Sequence, residues 1–279
     1  MIPLYVTHAS PYPWAMIPPP TALTEAIDAS LARIAAAPPG PARLEAQLRQ
    51  LAKWRSIVLA NTLVARQGTI VAHGPFAGMD YAVEASEGAR APRLLGLYEA
   101  ALHPVIEAVV ARPYAQVVDI GCAEGYYAVG LARRMPRTQV HARDSDPNAR
   151  ALCARLAARN SVEDRVQIGP EVTHDDLALC ATAPTFVLCD IEGAEVRLLD
   201  PASAPALRQA DILVECHSGA VLDTLTNRFA ASHRITRIDR ALCPDLLPPW
   251  AVELSDLDRL LLLWEWRAMP TPWLWMEAR

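Results

Sequence analysis

The sequence predicts an α/β fold with a mostly parallel sheet covered by helices on both faces. Three observations predict it. Between residues 116 and 215, short apolar runs alternate with segments of helical spacing, the pattern of strands joined by crossover helices. Asp119, Asp144, Asp190 and Glu215 stand at the ends of four such runs, where open parallel sheets bind ligands. The chain has 279 residues, 52% of them apolar, enough to bury a large core.

Composition narrows the function classes. A net charge of −5 argues against a large basic surface for nucleic acid. The six cysteines, at 122, 153, 180, 189, 216 and 243, form no metal-finger spacing and read as thiols of a reducing compartment. Neither a secretory leader nor a charge-free apolar run of about 20 residues is visible. The expectation is a soluble cytoplasmic protein with no nucleic-acid or membrane partner, and a possible homodimer.

The expected domains are an N-terminal arm and helical cap over 1–92 and a ligand-binding domain over 93–279. Residues 1–20 are proline-rich and read as an extended arm, a lid or a dimer arm. Two helices are predicted over 21–36 and 42–54. In the second, Leu44, Leu48, Leu51 and Trp54 form a stripe at helical spacing that reads as core packing. Residues 57–71 could supply strands, with Gly68 at a turn. Residues 93–110 read as a helix interrupted by Pro104.

Strands are then predicted at 116–120, 138–143, 165–168, 185–190 and 210–215, and helices at 126–135 and 147–159. Residues 176–182 and 196–199 are short connectors, Asp175 and Asp176 capping the first. Residues 221–231 read as a helix and 233–238 as a strand. Residues 254–267 fit a helix or a strand, and 271–276 a terminal strand, antiparallel in the sheet. Five of the seven tryptophans fall at or after Trp250, as an edge core, a wall for an apolar acceptor or a dimer contact.

The strand ends carry the chemistry. After Asp119 comes Gly121-Cys122-Ala123-Glu124-Gly125, a turn that lets backbone approach a ligand at a helix N-terminus. A dinucleotide fingerprint fails, because Tyr126 occupies the third glycine position. Asp144, about 20 residues past the turn, suits both hydroxyls of a ribose. Asp146, before Pro147, is the competing N-cap. Glu171 could accept from an adenine amino group or lie on the surface.

The fourth strand runs into Asp190-Ile191-Glu192-Gly193-Ala194-Glu195. Asp190 and Glu192 share side-chain parity if the strand persists; Glu195 reads as a helix-start residue favouring the dipole. Glu215 and His217 share parity at the fifth strand's end. Asp190, Glu192, Glu215 and His217 support proton abstraction from a hydroxyl or a divalent metal. The metal-free reading is preferred, since no ligand count is fixed by sequence.

The Asp119-Ile120-Gly121-x-x-x-Gly125 turn resembles motif I of S-adenosylmethionine (SAM) dependent methyltransferases. With Leu97-Tyr98-Glu99, the Asp190–Glu195 run and Ile212-Leu213-Val214-Glu215-Cys216-His217, the chain resembles the FkbM-like family over about residues 94–217. Cys122, Glu124 and Arg143 depart from its common residues. The resemblance implies a Rossmann-like seven-stranded fold with SAM as cofactor, and O-methylation of a small-molecule or sugar hydroxyl. It implies a SAM site of Asp119, Gly121, Cys122, Ala123, Gly125, Asp144, Ser145, Glu171 and Asp190. Alternatives are N-methylation or a non-catalytic binding protein on the same fold.

Overall fold

The computed structural model describes residues 21–85, 88–269 and 271–279; the arm expected over 1–20 lies outside them. The chain divides into two compact units at Trp54/Arg55. In the first, helix α1 (Ala22–Ala35) starts at a capping box in which the side chains of Thr21 and Thr24 each accept from the other's backbone N–H, satisfying free helix N–H groups. Helix α2 (Pro41–Gln67) opens on proline, whose missing N–H costs nothing there. The Leu44, Leu48 and Leu51 stripe, expected in a core, is 63%, 68% and 44% exposed.

Where strands were expected after residue 57, α2 continues to Gln67. The β-branched Ile57 and Val58 suggest strand, but Ser56, Leu59, Ala60 and Leu63 are buried at helical spacing, and packing overrides local propensity. Gly68, at φ 74°, ends the helix. What remains of the expected pairing is one bridge, Ile70 to Asp80. Residues 93–110 break into helix α3 (Arg90–Leu95), a 3-10 turn and helix α4 (His103–Val110), with Pro104 in the first turn of α4.

The sheet follows as strand β1 (Gln116–Ile120), helix α5 (Tyr126–Arg134), strand β2 (Gln139–Arg143), helix α6 (Pro147–Arg159), strand β3 (Val166–Gly169), strand β4 (Thr185–Cys189), helix α7 (Glu195–Leu198), strand β5 (Asp211–Glu215), helix α8 (Gly219–Phe229), strand β6 (His233–Ile238), helix α9 (Asp256–Leu262) and strand β7 (Trp273–Ala278). Its order is β3-β2-β1-β4-β5-β7-β6. Strands β1 to β5 run parallel; β7 is antiparallel to β5 and β6. This is the Rossmann-like methyltransferase sheet.

Alternation sorts the side chains by face. Val118, Ile120, Val187, Cys189, Ile212 and Val214 pack on one face with Leu199, Leu225 and Phe229. On β4 and β7, Phe186 meets Trp275 at 6.0 Å. Trp273 and Trp275 are core residues, 5% and 6% exposed. In the region expected as helix or strand, α9 forms; Leu257 and Leu260 on it are exposed. Among the described residues, no helix is long and apolar enough to cross a membrane.

Candidate active site

Strand order reverses between β1 and β4, since β2 lies on one side of β1 and β4 on the other. Such a switch point opens a crevice beyond the carboxyl ends. Ile120 pairs with Cys189, so the next residues, Gly121 and Asp190, lie against each other. A Cβ on Gly121 would come within 1.7 Å of the Asp190 carbonyl oxygen, and its φ is 83°; only glycine fits. Gly125 serves packing between α5 and α6: a Cβ there would lie 2.6 Å from Cys153 Sγ.

A cavity of about 590 Å³ occupies this crevice, within the range of cofactor sites. Gly121, Asp144, Ser145 and Glu171 line it on the β1–β3 side, Asp190 and Glu192 on the β4 side. Asp144 Oδ2 accepts from the Ala123 N–H at 2.9 Å and Oδ1 from the Asp146 N–H at 2.8 Å. A carboxylate has about four lone-pair sites, so acceptor capacity remains. Asp146 is the α6 N-cap, accepting from the Asn148 N–H at 2.9 Å. Glu171 is exposed and lies 3.6 Å from Arg197. Asp175 makes no side-chain cap; Asp176 instead accepts from Thr173.

Asp119, Cys122 and Ala123 line a separate small internal cavity of about 20 Å³ that shares Gly121 and Asp190 with the large one. Asp119 is 1% exposed, and neither oxygen has a hydrogen-bond partner among the described residues. Burial pushes its pKa up to about 7; the Ala128 amide opposes this and the charges of Asp144 and Glu124 add to it.

The β4 end differs from the expected strand continuation. The Asp190 N–H still bonds to the Ile120 carbonyl at 2.9 Å, but Glu192 and Gly193 then take φ 53° and 105°. The turn, not strand alternation, brings Asp190 and Glu192 together. Both meet His217: its Nε2 lies 3.4 Å from Asp190 Oδ1 and 3.4 Å from Glu192 Oε2. Glu215 Oε2 is 3.8 Å away, with its Oε1 bonded to Arg267 and Thr271.

Glu195 begins α7, as expected, but its role is not confined to the helix dipole. It is wholly buried, and Oε1 accepts from the Gly193 N–H at 3.0 Å and lies 2.7 Å from His217 Nδ1. An ionised carboxylate only accepts, so Nδ1 carries the proton and Nε2 faces the cavity carboxylates. Burial alone would raise Glu195, but His217 and the Gly193 amide outweigh it and hold the carboxyl below its usual range. Burial likewise works to lower the His217 pKa, yet Glu195, Glu215 and Glu192 raise it. The available signal was a third acid two residues past a glycine able to reverse the chain.

Long-range pairs beneath the turn were also missed. Arg93 pairs with Glu124 at 3.1 Å, both buried, and the Tyr81 hydroxyl donates to Glu124 at 2.6 Å. Arg93 lies 4.0 Å over the Tyr98 ring. The Tyr127 hydroxyl donates to Glu99.

No family model and no curated protein matches the chain. Among solved structures, it is similar to an O-methyltransferase from Bacillus cereus in complex with SAH: 12% identity, 95% of this chain and 94% of that one, TM-score 0.42. The human methyltransferase 10 domain containing protein is 10% identical over 81% of this chain and 97% of that one, TM-score 0.44. The C-terminal domain of precorrin-6Y C5,15-methyltransferase from Rhodobacter capsulatus is 16% identical over 63% and 87%, TM-score 0.45.

Proposed function

We propose that the chain is a SAM-dependent methyltransferase that modifies a hydroxyl on a small molecule or sugar, with 93–279 as the SAM-binding region. One observation carries the reading. A single cavity at the switch point is lined by Gly121, Asp144, Ser145 and Glu171 on one side and by Asp190 and Glu192, against His217, on the other. The residues fit the cofactor: Asp144, lining the cavity, retains acceptor capacity for a ribose, and Glu171, also lining it, can accept from an adenine amino group. Cys122, Ala123 and Gly125 complete the turn, and Asp119 lies at the end of β1 that leads into it.

When bound, SAM supplies a methyl already made electrophilic by its sulfonium. The protein has to align the acceptor, exclude water and relieve the hydroxyl of its proton. Asp190 and Glu192 orient the acceptor hydroxyl. Its proton is lost into the group formed with His217, whose Nε2 is free of Glu195 and directed at these carboxylates. Glu195 fixes the ring, and Glu215, tied to Arg267, supports it from behind.

The test is SAH formation with a panel of sugar and small-molecule hydroxyl acceptors. Asp144→Ala is expected to fail through a raised KM for SAM, and Glu192→Gln through a lowered kcat at unchanged KM for SAM. Equal kinetics in parent and both variants would refute the assignment.

A further inference from the structure

We propose that Asp190, Glu192 and His217 bind a divalent cation at the β4–β5 end of the cavity. The three residues bring one ligand atom each to within 4.8 Å of one another. Both carboxylate oxygens lie 3.4 Å from His217 Nε2. A cation with bonds of about 2.1 Å holds neighbouring ligand atoms about 3.0–3.4 Å apart, so these spacings need little change. Glu192, with its side chain 75% exposed, has room to close the third ligand pair.

The surroundings point the same way. The second nitrogen of His217 is held by Glu195 at 2.7 Å, and the Glu195 side chain is fully buried. A carboxylate fixing the far nitrogen of an imidazole is the usual outer support of a metal-binding histidine. Glu195 Oε2 has no hydrogen-bond partner among the described residues, so the carboxylate is not spent on a wider network. Glu215 adds a third carboxylate near Nε2, at 3.8 Å. Two carboxylates and one imidazole suit Mn²⁺ or Mg²⁺ with water or substrate oxygen in the remaining positions.

The site stands on these contacts alone; its use rests on the methyltransferase reading. There, an acceptor hydroxyl coordinated to the cation would be more acidic and would give its proton to solvent water on the open side at Glu192, so that His217, as a ligand, need not accept it. Residues distant from the cluster, such as the exposed Glu163, take no part.

The experiment is titration of Mn²⁺ alone into the metal-stripped full-length chain without SAM, with free Mn²⁺ read by electron paramagnetic resonance and folding by circular dichroism. One equivalent should bind saturably. Glu192→Gln, at an exposed side chain that folding tolerates, is expected to weaken binding by at least roughly tenfold, and Glu195→Gln by roughly 10–100-fold. Glu163→Gln should bind as the parent does. No saturable binding by folded parent overturns the proposal, as does equal binding by Glu192→Gln and parent. Because SAM is absent, this failure is separate from failure of the cofactor reading.

Discussion

Three groups of carboxylate lie around the sheet's carboxyl edge, and they differ in what stands beside them. Glu99 and Glu215 are bonded by the guanidinium of Arg267, which also holds Glu265 at 3.0 Å. Asp190, Glu192 and Glu195 meet the imidazole of His217. Asp119 has no ion pair or hydrogen bond among the described residues. A guanidinium is permanently charged and locks its partners. An imidazole changes charge near neutral pH and ligates metals. The first group therefore builds the fold, and the second is able to do chemistry.

The largest effect should come from breaking the first group. Arg267→Leu removes the only arginine that bonds Glu99 and Glu215 among the described residues, while Glu265 keeps Arg240 at 2.8 Å; burial already pushes Glu99 up to about 8, with Arg267 pulling down and Glu215 and Glu265 pushing up again. Removing one partner of a buried pair costs about 3–5 kcal/mol. Urea unfolding should register that loss; a change below about 1 kcal/mol would mean the network is not structural.

His217→Asn is the counterpart in the second group. Turnover is expected to fall on the order of 10²-fold or more, while the urea midpoint and the SAM dissociation constant stay close to the parent's. If instead stability falls as in Arg267→Leu, the two groups do not differ in kind.

Asp119 gives a pH signature. Its folded pKa, about 7, lies above its ordinary value of 3.8. The protonated carboxyl therefore favours the fold below about pH 4, and that contribution is lost as pH rises from about 4 to 7. Asp119→Asn cannot titrate, so its stability relative to the parent should rise over that interval, by at most about 1.4 kcal/mol for each pH unit crossed. A gap independent of pH between 4 and 8 would contradict the assignment. The smallest effect is expected at Leu48. Being 68% exposed, its change to Gln should alter stability by less than about 0.5 kcal/mol; a larger loss would restore the core reading of that stripe.

Much of this arrangement was legible in the chain. The parallel strands, the glycine turn at Gly121 and the rivalry of Asp144 and Asp146 follow from local signals, a carboxylate after an apolar run and a proline after an N-cap. What escaped was of two kinds. Helix α2 past Trp54 escaped because Ile57 and Val58 mimic strand while burial of Leu59 and Leu63 decides for helix. Glu195 and the Arg93–Glu124 and Arg267–Glu99 pairs escaped because their partners are set by the tertiary fold. Glu99 and Arg267 stand 168 positions apart, and no local pattern marks such a partner.

The central claim is that the cavity between the β1 and β4 ends is a SAM site, and calorimetric titration of SAM and SAH tests it most directly. Parent protein should bind both with one-to-one stoichiometry. Asp144→Ala, which removes the carboxylate proposed for the ribose, should bind both more weakly while remaining folded. Absence of binding by well-folded parent, or undiminished binding by Asp144→Ala, would contradict it.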